Sequence, residues 1–86
     1  MSLGIPMKIL EINHFMARCE AKGIERDVSL FMLQNESTAV GDYVVVHVGY
    51  AIQKVSETEA ATAWQIYDEM LFLEAQENEV QEKDNA

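Results

Sequence analysis

The sequence predicts a mainly β fold, a small β-barrel followed by one C-terminal α-helix. Aliphatic and β-branched residues recur in short runs through the first half of the chain, which is typical of strands. The second half changes to helical spacing after a capping box formed by Ser56 and Glu59. The 86 residues, 49% of them hydrophobic, are enough for one modest core. We predict one domain over residues 1–75 and an acidic, disordered tail over residues 76–86.

The predicted strands are short and are separated by turn signals. They cover residues 5–12, 15–21, 24–28 with a continuation toward 33, and 43–48, with turns at 13–14, 22–23 and 41–42. Three consecutive valines at 44–46 indicate burial on both faces of the last of these strands. Gly49 after it indicates a bulge or a close backbone approach. Because short strands leave unpaired edges, four or five of them are predicted to close into a barrel.

Beyond the capping box, apolar and aromatic residues return every three or four positions, which predicts an amphipathic helix of roughly 18 to 20 residues. The aromatic part of this stripe consists of Trp64 and Tyr67, with Met70 one turn further on. Its simplest interpretation is packing against the barrel. The alternative is that the stripe docks a partner protein, which would make the chain a non-catalytic scaffold or interaction subunit.

The charge balance argues against a nucleic-acid partner. Fifteen acidic residues outnumber six scattered basic ones, and the formal net charge is −9, so a cationic track for phosphates is missing. No apolar run reaches the roughly 18 residues that a bilayer-spanning helix needs, and no secretory signal is visible at the N-terminus. Cys19 is the lone cysteine and cannot form a disulfide within the chain. We expect a cytoplasmic protein with no membrane partner.

The sequence carries no motif of a known catalytic site, neither a phosphate-binding loop nor a nucleophile elbow, so we expect no enzymatic activity. His47 lies in the most apolar strand and is either a partly buried histidine bonded to backbone or a ligand near the strand end. His14, at a turn, is expected on the surface. Cys19 is expected to be buried as a small hydrophobic residue. Arg26 is expected either to pair with Asp27 or to brace the barrel mouth.

Three segments in order resemble the HypC/HupF family, the small maturation chaperones of [NiFe]-hydrogenases. They are Met-Ser-Leu-Gly-Ile-Pro at residues 1–6, Gly-Ile-Glu-Arg-Asp-Val at 23–28, and Val-Gly-Asp-Tyr-Val-Val-Val-His-Val-Gly-Tyr-Ala at 40–51. The resemblance spans nearly the whole chain and implies an OB-type barrel with a C-terminal helix. It also implies binding to a HypD-type maturation protein and to the hydrogenase large-subunit precursor. The implied role is to help deliver an iron that carries cyanide and carbon monoxide, the Fe(CN)2CO group, bound transiently.

The resemblance assigns the working end of the chain to its N-terminal segment. The implied partner-binding residues are Ser2, Leu3, Gly4, Ile5 and Pro6. Within this segment Pro6 fixes its own backbone and favours an extended neighbour, and Gly4 permits a bend. The position of Ser2 and the histidine that matches His47 are the implied contacts to iron.

The chain departs from the family pattern at Ser2, where the family has cysteine. A thiol with a pKa of about 8.5 supplies a thiolate, which suits iron, whereas a serine hydroxyl stays protonated. Cys19 is not an obvious replacement, because it is predicted to lie mid-strand. Ser2 is therefore either an engineered change or the mark of a divergent member, and the intact remainder favours the first. We expect docking on partners to be retained and iron transfer to be impaired.

Overall fold

The computed structural model describes the backbone of residues 4–85 and the side chains of residues 4–79. Five strands precede one long helix. The elements are β1 (Ile5–Asn13), β2 (Met16–Ala21), β3 (Ile24–Ser29), a 3-10 turn (Phe31–Leu33), β4 (Tyr43–His47), β5 (Tyr50–Val55) and α1 (Glu57–Asn85). The fifth strand is the one to which the sequence pattern assigned no residues.

The strands form a closed barrel in the order β1-β2-β3-β5-β4, with β4 returning to β1. Neighbours are antiparallel except β3 and β5, which run parallel where Ser29 meets Tyr50. Closure removes the unpaired strand edges, as expected for strands of five to nine residues. The prediction of a mainly β fold, a small barrel with one C-terminal helix, is confirmed.

The β4–β5 connection corrects the prediction for Gly49. Val48-Gly49 is a two-residue hairpin turn, with φ of 48° and 81°, the backbone conformation that matches the twist of paired strands. A Cβ built on Gly49 would meet no atom within 4 Å, so crowding does not require glycine there. The close backbone approach is at its carbonyl, which accepts a hydrogen bond from the Ser29 N–H at 2.9 Å. The bulge lies earlier, where the register of β4 against β5 shifts between Val45 and Val46.

A second bulge explains the imperfect alternation of β1. The register against β2 shifts between Ile9 and Glu11, which changes the side that the following side chains face. Ile9 is therefore buried, and Ile12, three residues later, packs against the same core. The core consists of small and aliphatic side chains from all five strands and the 3-10 turn: Met7, Ile9, Ala17, Cys19, Val28, Leu30, Leu33, Val44 and Ala51.

The valines of β4 are buried unequally. Val44 faces the barrel interior and is fully buried, whereas Val45 and Val46 are only half-buried. A closed barrel has a single interior, so a strand cannot be buried on both faces unless another element covers its outer side. Val46 packs against the core, and the outer cover of Val45 is partial and comes from Gly4, whose Cβ position lies 2.7 Å from Val45 Cγ1.

The helix begins at the predicted capping box. The Glu59 N–H donates to Ser56 Oγ, and the Ser56 N–H donates to Glu59 Oε1, both at 3.0 Å. The hydrogen bond from the Ser56 backbone lowers the pKa of the Glu59 carboxyl. At 29 residues α1 is longer than predicted, because no Gly or Pro follows Gly49 and Ala, Glu and Gln favour helix. The fraying of residues 76–86 in solution stays a prediction.

Candidate functional site

The helix binds the N-terminal segment through the backbone of that segment. The Trp64 indole N–H donates to the Pro6 carbonyl at 2.8 Å, and the Tyr67 hydroxyl donates to the Gly4 carbonyl at 2.9 Å. The two donors are three residues apart, so they lie on one face of α1. Because both bonds reach carbonyl oxygens, they leave the side chain of Ile5, between the two acceptors, 48% exposed.

Trp64 is supported by its neighbours on two sides. Its ring meets that of Tyr67 edge to face, with centroids 5.8 Å apart and an interplanar angle of 76°. The ammonium of Lys22, in the β2–β3 turn, lies 5.3 Å from the Trp64 ring centroid and pairs with Asp68 of α1 at 2.9 Å. The Lys22–Asp68 ion pair is half exposed and adds little to the stability of the fold by itself, but it orients the helix against the barrel.

Gly4 lies where no larger residue fits. A Cβ built there would come within 2.6 Å of the Val46 carbonyl oxygen and 2.7 Å of Val45 Cγ1. The bend predicted at Gly4 stays a prediction. The absence of a side chain lets the segment lie directly on β4.

An open groove of about 620 Å³ lies between the N-terminal segment, the end of β4 and the helix. Its lining is mostly apolar and aromatic: Gly4, Ile5, Val46, His47, Val48, Trp64, Tyr67, Met70, Leu71 and Glu74. Two features that the sequence presented as alternatives, the N-terminal segment and the Trp64/Tyr67/Met70 stripe, thus form one site. Such a surface suits recognition of apolar side chains, and its lining includes the imidazole of His47 and the carboxyl group of Glu74.

His47 is exposed at the end of β4, opposite Tyr50 of β5. The interpretation as a partly buried histidine is therefore wrong, because the strand ends at this residue and the Val48-Gly49 turn follows. The imidazole lies at the groove, where a ligand could reach it. Ser2 and Leu3, the other predicted contacts, lie outside the described residues. Within residues 4–79, no group of three or more His, Cys, Asp or Glu side chains is arranged to hold a metal ion.

Cys19 has no access to this site. It is fully buried in the core, as predicted, and burial raises the pKa of its thiol to about 11. At neutral pH the thiol is therefore protonated and a poor iron ligand. The absence of a cysteine at position 2 is not compensated by Cys19.

The predicted pair between Arg26 and Asp27 is not formed, and the alternative that Arg26 braces the barrel mouth stays a prediction. The Arg26 guanidinium donates to the Glu25 backbone carbonyl at 2.8 Å. Asp27 instead accepts from Arg18 at 2.9 Å, and Arg18 also pairs with Glu25 at 3.2 Å. Arg18 pairs with Asp27 across two neighbouring strands in direct register, a proximity that sequence adjacency does not reveal.

Glu74 and Lys22 were missed from the sequence. Glu74 follows Leu71, a member of the predicted helical stripe, by three residues, and extending the stripe by one turn would have found it. Lys22 gives no such signal, because its partner Asp68 is 46 residues away along the chain. His14 is exposed at its turn, as predicted.

The acidic residues spread along α1 leave no described helical stretch apolar enough to span a bilayer.

Comparison with known proteins places this architecture in a family. Residues 1–67 match the model of the HupF/HypC family. The chain is 38% identical over 81 residues to the hydrogenase maturation factor HypC of Helicobacter hepaticus, covering 92% of this chain and 93% of that protein. It is 33% identical over 78 residues to HypC of Escherichia coli, covering 86% and 87%. It is 35% identical over 65 residues to the maturation factor HybG of Escherichia coli, covering 70% and 79%. The chain belongs to the HupF/HypC family.

Proposed function

We propose that this chain is a maturation chaperone for [NiFe]-hydrogenases. It binds a HypD-type maturation protein and the large-subunit precursor, and it helps to deliver the Fe(CN)2CO group. The observation that carries the proposal is the N-terminal segment, bound beside an apolar groove in a chain whose relatives are hydrogenase maturation factors. Because those relatives are maturation factors and not enzymes by name, the proposed role is non-catalytic.

The backbone hydrogen bonds of the segment support a recognition role. They fix Gly4 and Pro6, and so the point to which Met1–Leu3 are attached. The exposed Ile5 side chain and the apolar groove then present a preformed surface, which lowers the ordering entropy that a partner must overcome. This surface forms without the side chain at position 2, so we expect docking to be retained with serine there.

Iron is the cargo in this proposal, and its retention depends on position 2. A thiolate there would bind iron well, whereas the Ser2 hydroxyl is a weak ligand. The exposed imidazole of His47 at the groove supplies a second donor of a type that iron accepts. We therefore expect this chain to dock on its partners and to retain little iron.

A pull-down with a purified HypD-type protein tests the proposal. The chain and its Ser2→Cys variant are loaded side by side, and iron is measured by mass spectrometry with the cyanide and carbon monoxide bands read by infrared spectroscopy. Ser37→Cys, a serine exposed in the loop before β4, controls for an added thiol. We expect equal capture of the partner by all three proteins and more iron only in Ser2→Cys. Equal iron in Ser2→Cys and the parent chain would sink the iron part of the proposal.

A second candidate is a scaffold that docks through the Trp64/Tyr67/Met70 stripe. The 48% exposure of Met70 favours the scaffold function. Trp64 and Tyr67, however, are half-buried, and their polar atoms bind the N-terminal segment. Trimming residues 2–6 should leave scaffold docking unchanged and abolish chaperone docking. Because trimming also removes both acceptors, Ile5→Gln is the sharper variant. Ile24→Gln, with 52% exposure at the first residue of β3, is its matched control.

A further inference from the structure

Apolar side chains lie exposed along the second half of α1. Ile66, Met70 and Leu73, which we call the outer stripe, are four and three residues apart and therefore share one face. They are 48%, 48% and 61% exposed. Leu71 and Phe72 between them are exposed to a similar degree, so four consecutive apolar residues face water. Contiguous exposed apolar surface of this kind marks an interaction site.

The outer stripe is a different surface from the groove. Ile66 and Leu73 are not among the described residues that line the groove, and Met70 lies at the border of both. The barrel-facing side of α1 carries the buried Ala60 and the half-buried Trp64 and Tyr67. From Glu69 to Glu79 every side chain is exposed, so this part of the helix extends beyond the Lys22–Asp68 ion pair that joins it to the barrel.

The charge of the protein is concentrated on the same segment. Residues 57–86 contain nine of the fifteen acidic residues and one of the six basic ones, and so carry −8 of the formal net charge of −9. Three of these carboxylates are exposed one turn from a member of the outer stripe: Glu69 from Ile66, Glu74 from Met70 and Glu77 from Leu73. The apolar stripe is therefore bordered by negative charge.

We propose that the outer stripe docks a protein whose apolar groove is lined by Lys and Arg. An amphipathic helix inserts its apolar anchors, at spacings of four and three residues, into such a groove. The flanking carboxylates of the stripe would meet basic side chains on the rim, which accelerates association and fixes the register. The surface does not depend on the proposed function, since Ile66 and Leu73 lie outside the groove and the N-terminal segment.

Charge decides between this occupant and the others that an apolar helix face could take. A second copy of the chain would bring together two segments of −8 each, which repel at short range. Nucleic acid and anionic lipid are of the same sign and are repelled as well. A basic protein surface is the occupant for which both the apolar and the ionic contacts are favourable.

A binding experiment with defined peptides tests the proposal on the full chain. The probe is a labelled synthetic helix with Leu at positions a and d of each heptad and Lys elsewhere. One control peptide has the same composition with the periodicity scrambled, and another has Glu in place of Lys. Fluorescence anisotropy is measured from roughly 50 to roughly 300 mM NaCl, a range over which exposed charges become screened. We expect binding of the amphipathic Lys peptide alone, with an affinity that falls about tenfold or more across this range.

Paired variants separate the apolar and the ionic contributions. Ile66→Gln/Leu73→Gln should weaken binding by at least about tenfold, whereas Met32→Gln/Val40→Gln, at 63% and 61% exposure on the barrel side, should not. Glu69→Gln/Glu77→Gln should make the affinity for the amphipathic Lys peptide depend less on the salt concentration. Circular dichroism checks that the helix is retained in each variant.

Four outcomes would overturn the proposal. They are no binding of the amphipathic Lys peptide at low salt, equal binding of the scrambled peptide, full binding by Ile66→Gln/Leu73→Gln, and a salt slope unchanged by Glu69→Gln/Glu77→Gln. A dimer by sedimentation that Leu73→Gln dissolves would assign the outer stripe to a second copy instead.

Discussion

The indole N–H of Trp64 lies 2.8 Å from the carbonyl oxygen of Pro6, a residue 58 positions earlier in the chain. This bond joins the helix to the beginning of the first strand. The neighbouring bond from Tyr67 to Gly4, at 2.9 Å, extends the connection to the first described residue. The helix therefore sets the geometry of the N-terminal segment, and changes on α1 should be felt at the other end of the chain.

Removing the hydroxyl of Tyr67 should loosen the N-terminal segment. In Tyr67→Phe the half-buried Gly4 carbonyl loses its donor, which should lower the free energy of unfolding by about 1 kcal/mol. Urea unfolding measures this loss, and hydrogen exchange should show faster exchange at the start of β1. Tyr50→Phe, on an exposed tyrosine of β5, is the control and should change neither quantity. Unchanged exchange in Tyr67→Phe would mean that the bond does not order the segment.

A methyl group at position 4 should displace the segment from β4. In Gly4→Ala the new Cβ would lie 2.6 Å from a backbone oxygen, which cannot yield as a flexible side chain can. We expect a loss of about 1–3 kcal/mol in the free energy of unfolding and weaker binding to a HypD-type protein. The measurements are urea unfolding and the pull-down.

The comparison for Gly4→Ala is Gly23→Asn. Gly23 has a positive φ of 80° and open space around its Cβ position, and asparagine tolerates this conformation. We expect Gly23→Asn to retain partner binding. Wild-type stability and binding in Gly4→Ala would contradict the close approach to β4.

The sequence predicted what depends on local periodicity and chemistry. Alternation in β2 identified Cys19 as buried, and the spacing of Ser56 and Glu59 identified the start of the helix. Of the segment that the family motif singled out, Gly4 and Ile5 line the groove, and the role of residues 2–6 in partner binding stays a prediction. These features can be recognised because each is encoded within a few adjacent residues.

Tertiary relationships were not predictable in the same way. No local pattern links Trp64 to Pro6 or Lys22 to Asp68, since packing of α1 against the barrel brings them together. The exposure of His47 was missed because an apolar run suggests burial, yet the strand ends at that residue. The length of α1 was underestimated because the decline in apolar residues was taken for the end of the helix, although helix propensity continues without Gly or Pro.

Burial of Cys19 should make stability fall at alkaline pH. The pKa of the folded thiol is about 11 against an ordinary 9.0, so between these values the unfolded state loses its proton while the folded state keeps it. The stabilisation from the neutral buried thiol is complete below pH 9 and is lost as the pH rises toward 11. The free energy of unfolding should fall by about 1–3 kcal/mol over this range.

Urea unfolding at several pH values measures the free energy of unfolding of the parent chain and of Cys19→Ala. In Cys19→Ala any decline of this free energy with pH comes from the other titratable groups. Between pH 9 and 11 the free energy of unfolding should therefore fall more steeply in the parent chain. Iodoacetamide should modify Cys19 only after unfolding, since the buried thiol is neither accessible nor ionised at neutral pH. Rapid modification of the folded chain at neutral pH would show that the core opens at this position.

His47 should matter for iron and not for stability. Its imidazole is exposed at the groove, so His47→Asn should change the free energy of unfolding by less than about 0.5 kcal/mol. In the Ser2→Cys background, where a thiolate is available, the same substitution should lower the iron retained after loading from a HypD-type protein. His14→Asn is the matched control, because His14 is equally exposed and asparagine suits its φ of 57°. Equal amounts of retained iron in the His47 and His14 variants would mean that position 47 contributes only to the shape of the groove. Of positions 2 and 47, position 2 would then be the sole iron contact.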